Sequence, residues 1–167
     1  MTTLSKTLLV VTALAVSACS QNPFDRFGGG SGAGAGGIDS AALDPASPAY
    51  FAETIGDRVL FEVDQSVLTP EAQSTLAAQA RWLQDNGTYT AIIEGHADEQ
   101  GTREYNLALG ARRASAARDY LVANGVADNR LRTVTYGKER PIEICSSEEC
   151  YAKNRRSVTV ISAGLGS

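Results

Sequence analysis

The chain has 167 residues, of which 43% are hydrophobic and 20% charged, and its formal net charge is -4. That is core material for one globular domain of ordinary size. The acidic balance argues against nucleic acid as a partner, because nucleic-acid binders carry a net basic domain or patch; here the basic pairs Arg112–Arg113 and Arg155–Arg156 are only local.

Residues 1–18 hold one early cation, Lys6, an apolar stretch from Leu8 to Val16, and then small residues. This is the layout of a secretory signal, and the apolar run is too short for a comfortable membrane span, which needs about 20 residues. The junction Val16-Ser17-Ala18-Cys19 resembles the bacterial lipobox. That resemblance implies cleavage before Cys19 and lipidation of its thiol. Each buried methylene contributes about 0.8 kcal/mol, so several acyl chains on one cysteine hold firmly to a leaflet. Ser20, in place of Asp, implies an outer-membrane destination.

Residues 19–50 are expected to form the lipidated cysteine and a tether. The stretch Gly28–Gly37 (GGGSGAGAGG) cannot build a core and reads as flexible linker. A coil of roughly 38 residues has a root-mean-square span of about 34 Å and a stretched limit of about 125 Å.

Residues 51–167 are expected to form the folded domain. Arg58–Val63 is rich in β-formers and reads as a strand. Thr69-Pro70-Glu71 supplies an N-cap, a first-turn proline and a dipole-matched acid, opening a helix that runs to about Gln84. Asn86-Gly87 ends it. Thr88–Glu94 is a second strand, followed by the loop GHADEQGTRE and a helix from about Glu104 to Ala123, stopped by Asn124-Gly125. Leu131–Tyr136 and Val158–Ile161 are the third and fourth strands, with a short helix or turn near Glu148–Lys153 between them. The alternation predicts an α/β fold with helices packed on a sheet of about four strands. Right-handed crossovers would make the first two strands parallel.

The second helix carries Leu109, Ala114, Ala117, Tyr120 and Leu121 as an apolar stripe. Asn106, Gly110 and Arg113 share that stripe by spacing, whereas Arg112 does not. Arg113 therefore points toward the sheet and calls for an anionic partner. Asp64, after the first strand, and Asp98, after the second, lie where strand ends form a ligand crevice. A pocket with two carboxylates and a guanidinium suits a zwitterion; an internal Asp98–Arg113 salt bridge that only orders the fold is the alternative.

Phe61–Asp64 (FEVD), Ile93–Ala114 (IEGHADEQGTREYNLALGARRA), Tyr136–Pro141 (YGKERP) and Lys153–Val160 (KNRRSVTV) resemble the OmpA-like peptidoglycan-binding domain family from about Val59 to Val160. With the lipobox ahead of it, the chain is similar to the lipoprotein members of that family in the Tol–Pal system. The resemblance implies an OmpA-like βαβαβ sandwich with a mixed sheet, and no catalysis. It also implies peptidoglycan as ligand: diaminopimelate of the stem peptide held by Asp98 and Arg113, with Asp64 and Asn106 at the same pocket. A TolB-like periplasmic propeller protein is the implied partner, covering part of the same face. Gln100 departs from the pattern, since close relatives carry Arg there.

The remaining candidates are weaker. His96, with Asp98 and Glu99, lacks the three or four placed ligands of a metal site, and no cofactor or nucleophile motif is present. A wall hydrolase is the least favoured alternative, and a protein-interaction module without wall affinity stands between. Cys145 and Cys150 are expected to form a disulfide after export to an oxidising compartment, with two free thiols as the alternative. At least one of Arg155 and Arg156 reads as a charge capping helix carbonyls.

Overall fold

The structure is a computed structural model and describes residues 43–163. The expected signal sequence, Cys19 and residues 20–42 of the expected tether lie outside the described residues. The elements in order are α1 (Pro48–Tyr50), a π turn (Phe51–Gly56), β1 (Arg58–Leu60), α2 (Pro70–Asp85), β2 (Tyr89–His96), α3 (Arg103–Ala123), a 3-10 turn (Asp128–Arg130), β3 (Leu131–Gly137), α4 (Glu148–Asn154) and β4 (Arg156–Ala163).

The long helices begin where side-chain oxygens can satisfy their free N–H groups. Thr69 accepts from the Ala72 N–H at 3.2 Å and Pro70 opens α2. Thr102 accepts from the Tyr105 N–H at 3.2 Å and opens α3, one residue earlier than the expected Glu104.

The expected strand limits shift. β2 runs on to His96 and β4 spans Arg156–Ala163 rather than Val158–Ile161, because the two pair along most of their length. β1 is shorter than the expected Arg58–Val63, ending its regular ladder at Leu60 with one further bond from the Phe61 N–H to the Arg155 carbonyl at 2.9 Å.

The sheet order is β1-β4-β2-β3. β2 and β3 are parallel neighbours, while β4 is antiparallel to both β1 and β2. The expected parallel relation of the first two strands thus survives only as direction. They do not pair, because the last strand inserts between them and supplies hydrogen bonds to both.

Leu76 and Leu83 of α2 and Ala114, Ala117 and Leu121 of α3 close over Val59, Ala91, Ile93 and Leu131. Leu76, Leu83, Ile93 and Leu121 are fully buried, each contributing about 2 kcal/mol of transfer free energy. Gly95 and Gly110 let α3 ride directly on β2: a Cβ on Gly95 would sit 1.8 Å from the Gly110 carbonyl oxygen. That contact places Arg113, one turn further along, over the end of β2.

The tether boundary also moves. Pro45–Tyr50, composed like linker, pack onto α2. The buried Trp82 indole N–H needs an acceptor and donates to the Pro45 carbonyl at 2.7 Å, while Tyr50 packs on the core.

Candidate functional site

The carboxyl ends of β1 and β2 and the first turns of α3 enclose an open pocket of about 250 Å³. Val63, Asp64, Asp98, Gln100, Gly101, Tyr105, Asn106 and Leu109 line it. Asp64 stands in left-handed backbone, φ 57°, a conformation that Asp tolerates better than most side chains. The Tyr105 hydroxyl donates to its carboxylate. Asp98 is nearly buried, and its Oδ1 accepts from the Gln100 N–H at 3.2 Å. Asn106 donates to the Gln100 carbonyl at 2.7 Å and so fixes the rim.

Arg113 points inward, as its place on the stripe predicts, and is 0% exposed. Its expected anionic partner is not what satisfies it. Nε donates to the Gln65 carbonyl at 2.7 Å, Nη1 to His96 at 2.9 Å and Nη2 to Glu62 at 3.1 Å. The guanidinium also lies 5.2 Å from the centre of the Phe61 ring. Three backbone carbonyls left over at strand ends and in a turn do the work expected of a carboxylate. Burial pulls the Arg113 pKa down to about 10, against the opposing attraction of Asp98, so it stays charged at neutral pH. The arginine thereby ties the turn that carries Asp64 to the strand end before Asp98.

The internal Asp98–Arg113 bridge is not formed. Asp98 Oδ2 instead accepts from Arg155 Nη1 at 3.3 Å. Arg155 is buried, donates through Nε to the Phe61 carbonyl at 3.2 Å and through Nη2 to Glu148 at 2.5 Å. Burial disfavours its charge, but the bonds it donates to Glu148 and Asp98 outweigh that and raise its pKa. Arg155 and Glu148 were not among the expected site residues. The signal available was two adjacent arginines leading into a strand; both are buried, Arg155 against Asp98 and Arg156 against backbone carbonyls. Arg156 does serve carbonyls, donating to Asn154 at the end of α4 (3.3 Å) and to Arg140 (3.1 Å).

His96 is buried, with neither ring nitrogen hydrogen-bonded within the protein. Burial, reinforced by Arg156 and Arg140, lowers its pKa to about 4. Glu94 lies 3.5 Å from Nε2, too far and too poorly aimed to offset this. Among the described residues no cluster of His, Cys, Asp and Glu could hold a metal. Cys145 and Cys150 are joined as a disulfide, with Cα atoms 5.9 Å apart.

A model of the OmpA family matches residues 60–155, and the chain belongs to that family, whose members here are structural and non-catalytic. A peptidoglycan-associated lipoprotein of Mesorhizobium japonicum is 48% identical over 160 residues, covering 96% of this chain and 92% of that one. Its counterpart in Rhizobium meliloti is 50% identical over 161 residues, covering 96% and 87%. The crystal structure of the peptidoglycan-associated lipoprotein from Burkholderia pseudomallei gives a TM-score of 0.66 at 34% identity, over 70% of this chain and 100% of that chain. The C-terminal domain of Helicobacter pylori MotB shares the fold, with a TM-score of 0.61 at 23% identity over 65% and 86% of the two chains. Within the family, the chain stands among the peptidoglycan-associated lipoproteins.

Proposed function

We propose that the chain is an outer-membrane lipoprotein, anchored at Cys19, whose periplasmic domain binds the diaminopimelate of peptidoglycan stem peptides and so ties membrane to wall. The observation that carries this reading is the open pocket bearing Asp64 and Asp98, with the Arg113 charge beneath it. Two carboxylates favour the ammonium end of a diamino acid, and the positive field of Arg113 favours its carboxylate. Asn106 shapes the rim through the Gln100 carbonyl. In this reading the protein belongs to the Tol–Pal system, supports envelope integrity and cell division, and meets a TolB-like propeller on an overlapping face.

A second reading is a protein-interaction module without wall affinity. It is favoured by the pairing of Asp98 with Arg155, which gives that carboxylate a structural duty of its own. Calorimetric titration of the protein with a soluble muropeptide separates the two. Binding of a diaminopimelate muropeptide, at least roughly tenfold tighter than its lysine counterpart, is the wall-binding outcome. Absence of heat with both, from folded protein, is the outcome of the second reading.

A further inference from the structure

The segment between β3 and α4 carries no regular structure, yet it clamps the pocket from behind. Lys138 donates to the carbonyls of Glu99 at 3.3 Å and Gly101 at 2.7 Å. The Glu99 carboxylate accepts from the Ser146 hydroxyl and the Tyr151 hydroxyl, both at 2.9 Å. Those two hydrogen bonds hold the Glu99 pKa below the ordinary carboxylate range. Glu99 sits between Asp98 and Gln100, so both bonds restrain the loop that forms one wall of the pocket. Glu148 adds the second path, through Arg155 to Asp98.

Ser146 and Glu148, which begin these two paths, lie inside the ring closed by Cys145 and Cys150. Asn154 secures the preceding chain only as far as Glu143, accepting from the Ile142 and Glu143 N–H groups and donating to the Glu143 carbonyl. Residues 144–149 are exposed, whereas Cys150 is buried in α4. The disulfide is thus the covalent tie that seats an exposed turn on a buried helix position. We infer that the Cys145–Cys150 disulfide is a positioning element of the wall-binding pocket, acting through Ser146 and Tyr151 on Glu99 and through Glu148 and Arg155 on Asp98. The inference rests on the wall-binding reading above. Without the bond, the turn gains conformational freedom and the pocket loop loses two of its outer restraints. A ligand must then order that loop as it binds.

The test measures two things on the purified protein in mild detergent: affinity for insoluble peptidoglycan sacculi, and hydrogen exchange of the backbone amides of residues 97–102. A dithiol cleaves the S–S bond by a two-electron exchange, leaving two protein thiols and the oxidised cyclic reductant. Reduction is expected to speed exchange at 97–102 and weaken sacculus binding roughly tenfold. The double variant Cys145→Ser, Cys150→Ser should match the reduced protein and no longer respond to dithiol. Glu148→Gln, which keeps the disulfide, should move both readouts in the same direction by less. Glu149→Ala, one residue along and outside both paths, should move neither. Unchanged exchange and affinity after complete reduction of folded protein overturn the inference. If the oxidised wild type itself fails to bind sacculi, the wall reading falls instead, and exchange at 97–102 alone decides whether the disulfide braces the pocket.

Discussion

Arg155 and Asp98, 57 residues apart in the chain, share a buried ion pair at 3.3 Å between Nη1 and Oδ2. The pair joins the start of β4 to the loop after β2, and so links one of the sheet's two inner strands to the pocket wall. Removing one member of such a pair strands the other's charge away from water. Arg155→Met is expected to cost about 3 kcal/mol of stability in urea unfolding. Adding Asp98→Asn to that variant should cost little more, because its partner is already gone; strictly additive losses would show that the two do not act as a unit.

Arg113 acts through a different set of bonds. Its three donors satisfy the carbonyls of Glu62, Gln65 and His96, so a smaller or differently shaped cation leaves buried acceptors bare. Arg113→Lys is expected to lose about 3 kcal/mol of stability, read as a lower urea midpoint at unchanged slope, because an ammonium lacks the planar fork that reaches three carbonyls at once. A variant as stable as the wild type would show that the carbonyls have other partners.

His96 makes stability depend on acid. Its native pKa, lowered to about 4, lies below the ordinary value of 6.5 because burial, Arg156 and Arg140 all oppose its charge, with Glu94 too distant to compensate. The native state therefore binds fewer protons than the unfolded chain between those values. The stability contributed by keeping His96 neutral is complete above about pH 6.5 and is lost as pH falls through about 4, to a total of about 3 kcal/mol. Thermal melts from pH 7 to 4 should show this decline, and His96→Phe, which also keeps the stacking face toward Tyr136, should flatten it. An equally steep decline in His96→Phe would place the acid sensitivity elsewhere.

Local chemistry made much of the fold legible. Thr69-Pro70 and Asn86-Gly87 bracket α2 because caps act within a turn of the residues they serve, and the stripe on α3 turned Arg113 inward and left Arg112 in solvent. What stayed hidden depended on long-range pairing. Nothing near β1 indicates that β4 will lie between it and β2. Nor does Arg113 itself disclose that its partners are three carbonyls, since a residue's inward direction does not name what it will meet. Asp98 was legible as a pocket residue from its place after β2, but its bond to Arg155 was not, because it exists only once β4 has paired with β2.

The central claim, that the pocket holding Asp98 grips the wall, is tested most directly by co-sedimentation of the purified protein with insoluble peptidoglycan sacculi, comparing wild type with Asp98→Asn after circular dichroism has confirmed that both are folded. The asparagine keeps the shape and accepts a hydrogen bond from Arg155 but removes the charge that would meet a ligand ammonium. Wild type in the pellet with Asp98→Asn in the supernatant is the predicted result. Folded wild type left in the supernatant, or a folded variant that sediments equally well, would contradict it.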